Sequence, residues 1–244
     1  MDSGFYAACA GLRAQSQALE VAAHNLANLN TTGFRGQQTS FQSLIAIARP
    51  NVSNVLNIAT NDFGVLEGTR LDLQPASLLA TGNPLDVGIE GNGFFAIQTA
   101  QGTRYTRNGN FRVARTGELV SANGDPVLGD TGVIRVPAGA VSISSDGTLS
   151  VNSAVAGKIR LVEFSPGTKV VSEGEMLIDA PNASVLPART TSVRQGVLES
   201  SNVNAINAVM AMIGVQREAE MMQRALSLFH TEFNRIAAND LPHV

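Results

Sequence analysis

The residues of this sequence that could carry chemistry are three histidines, one cysteine and scattered carboxylates. His24 and His230 fall on predicted helices and His243 lies in the tail, and none has further ligands at the spacing of a metal site. Cys9 is the only cysteine, so no internal disulfide can form, and its place on an apolar stripe is typical of a small core residue. The sequence therefore predicts no metal and no cofactor.

Enzyme motifs are also missing from the sequence. Glu118, Asp125, Asp130 and Asp146 lie at or beside predicted turns, and nothing places two of them about 5–9.5 Å apart in a cleft, as a glycosidase needs. The glycine cluster GIEGNG at residues 88–93 does not fit GxGxxG and precedes a strand, which favours tight turns over dinucleotide binding. No GxxxxGK[ST] or GxSxG motif occurs. We predict that the chain is not an enzyme.

The strongest pattern lies in two long helices at the chain ends. In each helix, apolar or small residues recur at alternating spacings of four and three, which places a narrow stripe along one side, as in a coiled coil. Such a stripe buries little unless another helix covers it, so we predict that the two ends pair and then pack against other copies. The predicted seam consists of Phe5, Leu12, Leu19, Leu26, Met212, Val215, Met222, Leu226, Phe229 and Phe233.

The middle of the chain has a different pattern, with short β candidates separated by turn dipeptides. Gln101-Gly102, Asn108-Gly109, Thr116-Gly117, Asn123-Gly124 and Asp146-Gly147 are hairpin signals. Further strands are expected at 133–136, 141–143, 159–164 and 191–198. The fold class is therefore α+β: long terminal helices forming a coiled-coil-like pair, with a central, mostly antiparallel β domain.

Domain boundaries follow from these patterns. We predict a terminal helical assembly domain from residues 1–34 and 200–244, a connector at 35–67 and a β domain at 68–199. The N-terminal helix should end near Asn28. The C-terminal helix should start after a cap at 200–202 and run to about Ala237.

Composition limits the partners. The chain has 244 residues, a formal net charge of −3 and 15% charged residues, so no basic field favours nucleic acid. No stretch approaches the roughly 18 apolar residues of a membrane span. The start lacks a basic n-region and a continuous apolar h-region, so we expect either a cytoplasmic protein or export without such a signal peptide.

Four segments resemble the bacterial flagellar rod and hook protein family. They are NLANLNTTGFR at residues 25–35, TGNPLDVGIEGNGFF at 81–95, YTRNGNF at 105–111 and ESSNVN at 199–204. The matching motif residues include Asn25, Leu26, Asn28, Thr31, Gly33, Phe34, Ser201, Asn202 and Val203. The chain resembles the rod members more than the hook proteins, which are longer and carry an extra outer domain.

The resemblance implies a structural subunit of the flagellar basal-body rod, the drive shaft that crosses the periplasm and surrounds the export channel. It implies export through the flagellar type III apparatus without a cleaved signal, and assembly with other copies and other axial proteins. Asn25, Asn28, Gly33 and Phe34 would set the turn between helix and β domain. Two alternatives from other classes are a soluble enzyme with a cleft in its β domain and a binding module on a coiled-coil stalk.

Overall fold

A computed structural model describes residues 2–42, 65–174, 176–181, 184–188 and 190–240, with side chains at 11–38, 69–174, 176–181, 184–188, 190–224, 226–228 and 231. The protein is α+β, as predicted. It has a helix near each end, and antiparallel strands lie between them. By its contacts the chain divides into a helical unit (Met1–Leu26, Gln37–Thr69 and Ala205–Val244) and a β unit (Ala27–Gly36 and Arg70–Asn204). The predicted boundaries instead grouped residues 27–34 with the helices.

The helical unit consists of α1 (Asp2–Ala27), α2 (Ala205–Asp240) and a two-stranded sheet of β1 (Gln37–Gln42) and β2 (Val65–Leu71). The two helices are in contact. Neither helix, over its described residues, is long and apolar enough to cross a membrane. The possible short helix at residues 44–47 lies outside the described residues.

Polar turn residues end α1 close to the predicted position. The Thr31 amide donates to the Asn28 carbonyl at 3.2 Å and the Thr31 hydroxyl to Asn28 Oδ1 at 3.1 Å. The prediction for the start of α2 was wrong, because α2 begins at Ala205. Ser200 and Asn202 instead form hydrogen bonds within the β unit. The Ser200 hydroxyl lies 2.9 Å from the Ser77 hydroxyl, and the side-chain oxygen of Asn202 accepts from the Gly36 amide.

The β unit is built from short antiparallel strands. They are β3 (Leu78–Ala80), β4 (Val87–Glu90), β5 (Phe94–Thr99), β6 (Gly102–Thr106), β7 (Phe111–Val113), β8 (Leu119–Ser121), β9 (Leu128–Gly129), β10 (Gly132–Val133), β11 (Val141–Ile143), β12 (Thr148–Val151), β13 (Ala154–Lys158), β14 (Leu161–Phe164), β15 (Val171–Ser172), β16 (Ile178–Asp179), β17 (Val185–Pro187), β18 (Ser192–Gln195) and β19 (Val197–Glu199). The largest sheet has the order β15-β16-β6-β5-β14-β17, and β11-β12-β13 form a second sheet. The late strands return to the early ones, since β18 pairs with β4 and β19 with β3.

Turn chemistry accounts for most of the hairpins. Gln101-Gly102, Thr116-Gly117 and Asp146-Gly147 lie in the β5–β6, β7–β8 and β11–β12 hairpins, as predicted. Asn108-Gly109 does not join a hairpin. Its glycine packs on β4, where an added Cβ would lie 1.7 Å from the Val87 carbonyl oxygen. The β12–β13 turn was missed: Asn152 and Ser153 adopt positive φ angles of 48° and 68° there.

Two predicted strands need correction. Only residue 133 of the predicted strand 133–136 lies in a named strand, β10. Beyond it, Arg135 forms an isolated antiparallel bridge with Glu118, and the side chains of Ile134 and Val136 are buried. The predicted strand 191–198 is two strands that have different partners. Gly196 separates them with a φ of 74° and donates its amide to the Asp86 carbonyl at 2.8 Å.

The β unit has two buried apolar clusters. The larger one includes Val87, Phe95, Leu119 and Leu149, and the smaller one includes Phe94 and Val162. Because side chains alternate across a strand, the neighbours Phe94 and Phe95 of β5 enter different clusters. Strand β5 therefore forms the wall between the two clusters.

Candidate functional site

The segment that follows α1 and the segment that precedes α2 run side by side in the β unit. The Gly33 amide donates to the Glu199 carbonyl at 2.8 Å, and the Asn202 amide donates to the Phe34 carbonyl at 3.3 Å. The side chain of Asn202 accepts from the Gly36 amide at 2.7 Å. We call residues 33–36, residues 199–202 and Arg107 the arm junction.

A buried ion triad lies at the centre of the arm junction. Arg35 Nη2 is 2.5 Å from Glu199 Oε1, and Arg107 Nη1 is 3.1 Å from Glu199 Oε2. Arg35 is 4% exposed, and Arg107 and Glu199 are fully buried. The three residues come from three of the motifs recognised in the sequence, so a single carboxylate ties together the start, the middle and the end of the β unit.

Further contacts fix two members of the triad, Glu199 and Arg107. The Ala76 amide donates to Glu199 Oε1 at 2.7 Å, so both carboxylate oxygens are engaged. Arg107 donates to the Gly91 carbonyl at 2.7 Å, and its guanidinium lies 4.7 Å from the centre of the Phe94 ring, a cation–π contact. These contacts leave the carboxylate and the Arg107 guanidinium little freedom to reorient.

The triad carries two cations and one anion in a site shielded from water. Burial lowers the pKa of Arg107 to about 10 and also lowers the pKa of Arg35, while attraction to Glu199 opposes both shifts. Arg107 therefore stays protonated at neutral pH. Its charge needs Glu199, because a buried charge without a partner is strongly destabilising.

Backbone geometry explains the glycine of the arm junction. Gly33 has a φ of 70°, in the left-handed region. A Cβ there would lie 2.4 Å from the Asn108 amide nitrogen. Both the conformation and the close approach therefore require glycine at this position.

The other motif residues have local roles. Asn25 pairs with the backbone of Gln37 through two hydrogen bonds of 2.7 and 2.8 Å. Phe34 is buried, and the Ser201 hydroxyl accepts from the Val203 amide at 3.2 Å. The structure thus brings Gly33, Phe34, Ser201 and Asn202 to the junction, while Asn25 acts in the helical unit.

The predicted seam is partly covered within one chain. Met212, Val215, Met222 and Leu226 are half-buried on α2, and Leu12, Leu19 and Leu26 are half-buried on α1. Gln15 links the helices by donating to the Val215 carbonyl at 3.3 Å and to Glu218. The side chains of Phe5, Phe229 and Phe233 lie outside the described residues.

Two features of the helical unit were missed by the sequence reasoning. Among the described side chains of α1, the most buried are Ala14, Ala18 and Ala22, four residues apart, rather than the leucines of the seam. On α2, apolar side chains remain exposed away from the seam, among them Met210, Ile213, Met221 and Leu228. Their helical spacing is visible in the sequence, but Arg217 and Arg224 interrupt the apolar pattern.

Over the described ranges, no three histidine, cysteine or acidic side chains form a group that could hold a metal ion. Asp146 accepts from the Thr148 amide and hydroxyl within its turn.

The glycine cluster at residues 88–93 begins at a close contact between strands. An added Cβ at Gly88 would lie 2.8 Å from the Leu78 and Val197 side chains. Close strand packing therefore explains this glycine.

Comparison with known proteins gives matches at both ends and in the middle of the chain. Three family models match: "Flagella basal body rod protein" over residues 5–35, "Flagellar hook protein FlgE/F/G D1 domain" over 88–151 and "Flagellar basal body rod FlgEFG protein C-terminal" over 194–230. The matched segments contain most of α1, the three residues of the ion triad, much of the β unit, and most of α2.

Relatives of similar length are found in several bacteria. The chain is 35% identical to the flagellar basal-body rod protein FlgF of Escherichia coli, over 93% of this chain and 94% of that protein. It is 34% identical to FlgF of Mesorhizobium japonicum, over 90% of each chain. It is 32% identical to the flagellar basal-body rod protein FlgG of Bacillus subtilis, over 87% of this chain and 89% of that protein.

Proposed function

Because this chain belongs to the flagellar basal-body rod protein family, a family of structural proteins and not of enzymes, we propose that it is the proximal rod subunit. The observation that carries this choice is the 35% identity to FlgF along nearly the whole chain. The start, MDSGFY, and the short segment at residues 42–66 within the predicted connector also resemble the proximal rod protein. The alternative is the distal rod protein, since the identity to FlgG is only slightly lower at 32%.

The rod is a shaft, so its subunits must hold several neighbours without slipping under torque. We assign the subunit contacts to the two terminal helices, whose apolar surface is only partly covered within one chain. The β unit is a braced body with two apolar clusters and a buried ion triad. Its arm junction holds the points where the chain continues into α1 and α2.

The environment of the protein is part of the proposal. As a rod subunit, it leaves the cell through the flagellar type III export apparatus, as an unfolded chain without a cleaved signal, and assembles in the periplasmic space. Its partners are other copies of itself and the axial proteins above and below. Apolar helix surface that is exposed before assembly favours a terminal region that becomes fully ordered only when it docks.

Two experiments test the proposal. The first compares sedimentation of the full chain with that of a fragment spanning residues 27–204, which keeps the arm junction intact. Axial assembly predicts that the full chain forms large species as concentration rises, while the fragment stays a folded monomer. A full chain that stays monomeric at all concentrations would contradict assembly through the helices.

The second experiment distinguishes the two rod positions. The gene is expressed in Escherichia coli strains that lack either FlgF or FlgG, and motility and basal-body structure are scored. Restoration of the strain without FlgF alone is the expected result. Restoration of the strain without FlgG alone would support the distal alternative.

A further inference from the structure

Helix α2 carries a second stripe that points away from the predicted seam. The outer stripe consists of Met210, Ile213, Arg217, Met221, Arg224 and Leu228, spaced three or four residues apart and so on one side of the helix. Met210, Met221 and Leu228 are 66%, 61% and 67% exposed. Four large apolar side chains in one exposed row indicate an interaction surface rather than scattered surface residues.

We propose that the outer stripe docks α1 of a second copy of this chain, and that Arg217 pairs there with Glu20. This inference rests on the proposed assembly through the terminal helices and specifies which surfaces meet. The described seam positions of α2, Met212, Val215, Met222 and Leu226, are already half-buried within one chain, so they offer less free surface to a neighbour than the outer stripe does.

The size of the side chains favours this occupant. Ser16, Glu20, Ala23 and Ala27 lie along α1 at spacings of four, three and four, and all except half-buried Ala23 are exposed. Apart from Glu20, this row has small side chains. Long methionine and leucine side chains of the outer stripe can pack into the gaps of such a row, as knobs do in the holes of a facing helix.

The charges on the two helices favour α1 of the neighbouring copy, rather than its α2, as the helix that docks on the outer stripe. Arg224 has a partner in its own helix, Glu220 at 3.7 Å, whereas Arg217 has none within ion-pair distance among the described residues. Glu20 likewise forms no ion pair in the described part of the chain. Two outer stripes facing each other would bring four arginines together without a stripe carboxylate, whereas the α1 row places a carboxylate among small side chains.

The pairing of two different surfaces determines the type of assembly. A contact between α2 of one copy and α1 of the next is heterologous, so each added copy presents the same free surfaces as the one before. Such a contact produces an open stack, as a shaft requires. A contact between two identical outer stripes would instead close into a dimer.

A charge exchange tests the proposal in the full chain. Arg217→Glu and Glu20→Arg are made singly, in combination, and as a mixture of the two single variants. Gln223→Glu is the control, because it adds a negative charge on an exposed part of α2 outside the stripe. Sedimentation velocity gives the concentration at which large species appear, and circular dichroism checks that each variant keeps its helix content.

We expect each single reversal to raise that concentration at least fivefold, equivalent to about 1 kcal/mol. The double variant should recover growth, and the control should match the unaltered chain. The mixture should recover growth as an alternating stack, because the acidic stripe of the Arg217→Glu copy meets the basic α1 of the Glu20→Arg copy. The unaltered stripe of the Glu20→Arg copy then meets the unaltered α1 of the next Arg217→Glu copy. Unaltered growth of both single variants, or a double variant no better than either, would overturn the proposal. An unaltered chain that does not grow would overturn both this proposal and the axial assembly beneath it.

Discussion

The change Glu199→Gln tests whether the ion triad holds the β unit together. Glutamine keeps the size of the side chain and one carbonyl oxygen, but it removes the negative charge that faces Arg35 at 2.5 Å and Arg107 at 3.1 Å. Both guanidiniums would then remain buried without their carboxylate. The site is shielded from water and so disfavours the charged form of both arginines, and burial accordingly lowers the pKa of each.

The expected loss of stability is large. Removing one partner of a buried ion pair destabilises a protein by about 3–5 kcal/mol. This is a major part of the roughly 5–15 kcal/mol by which a domain is stable. With a denaturant slope of about 2 kcal/mol per molar urea, the unfolding midpoint should fall by about 1.5–2.5 M.

Urea unfolding of the full chain, followed by circular dichroism at the wavelengths where β structure contributes, measures this loss. Glu90→Gln is the matched control, since Glu90 is exposed and lies 3.9 Å from Arg194, which is also exposed. An exposed pair of this kind contributes at most about 1 kcal/mol. If Glu199→Gln changed the midpoint no more than Glu90→Gln does, the triad would not be the stabilising element we infer.

Three further predictions concern Gly33 of the arm junction, Leu226 of the predicted seam, and Asp146 in the β11–β12 turn. Gly33→Ala should destabilise the chain by more than Gly82→Ala, because both residues have positive φ but an added Cβ meets backbone only at residue 33; comparison of the two urea midpoints tests this. Leu226→Asp should abolish incorporation into the rod and leave the β unit folded, with Gln223→Asp as control; normal incorporation would contradict the seam. Hydrogen bonds from Thr148 lower the pKa of Asp146 below its ordinary 3.8. The stability that these bonds contribute is therefore present above pH 3.8 and is lost as the pH falls through the lowered pKa. NMR titration of Asp146 in the unaltered chain and in Thr148→Ala measures this, with the pKa expected to be higher in the variant.

Local signals were sufficient for much of the fold. The 3-4 spacing predicted both helices, and turn dipeptides such as Gln101-Gly102 marked hairpins that the structure contains. These features depend on residues close in sequence, whose preferences act before any tertiary contact forms. The start of α2 was misplaced for the opposite reason: Asn202 favours a helix cap locally, but its side chain is bound by the distant Gly36 amide.

The ion triad could not be predicted from the sequence alone. Arg35, Arg107 and Glu199 each lie in a recognisable motif, yet a single sequence does not indicate which charged residues leave the surface. Arg35 lies 164 positions before Glu199 in the sequence, and Arg107 lies 92 positions before it. Only the return of β18 and β19 to the early strands brings Glu199 between the two arginines.

An apolar cluster could have stabilised the arm junction as well as the ion triad does, because replacing buried ions by packed apolar residues is often neutral or favourable. Apolar contacts, however, tolerate small shifts, whereas the two oxygens of Glu199 have distinct donors: Arg35 and the Ala76 amide on Oε1, and Arg107 on Oε2. Sliding any of these segments by one residue would leave a charge unpaired in the core. The triad thus fixes the register of the two segments that continue into α1 and α2, which is the property that the proposed rod subunit requires of its arm junction.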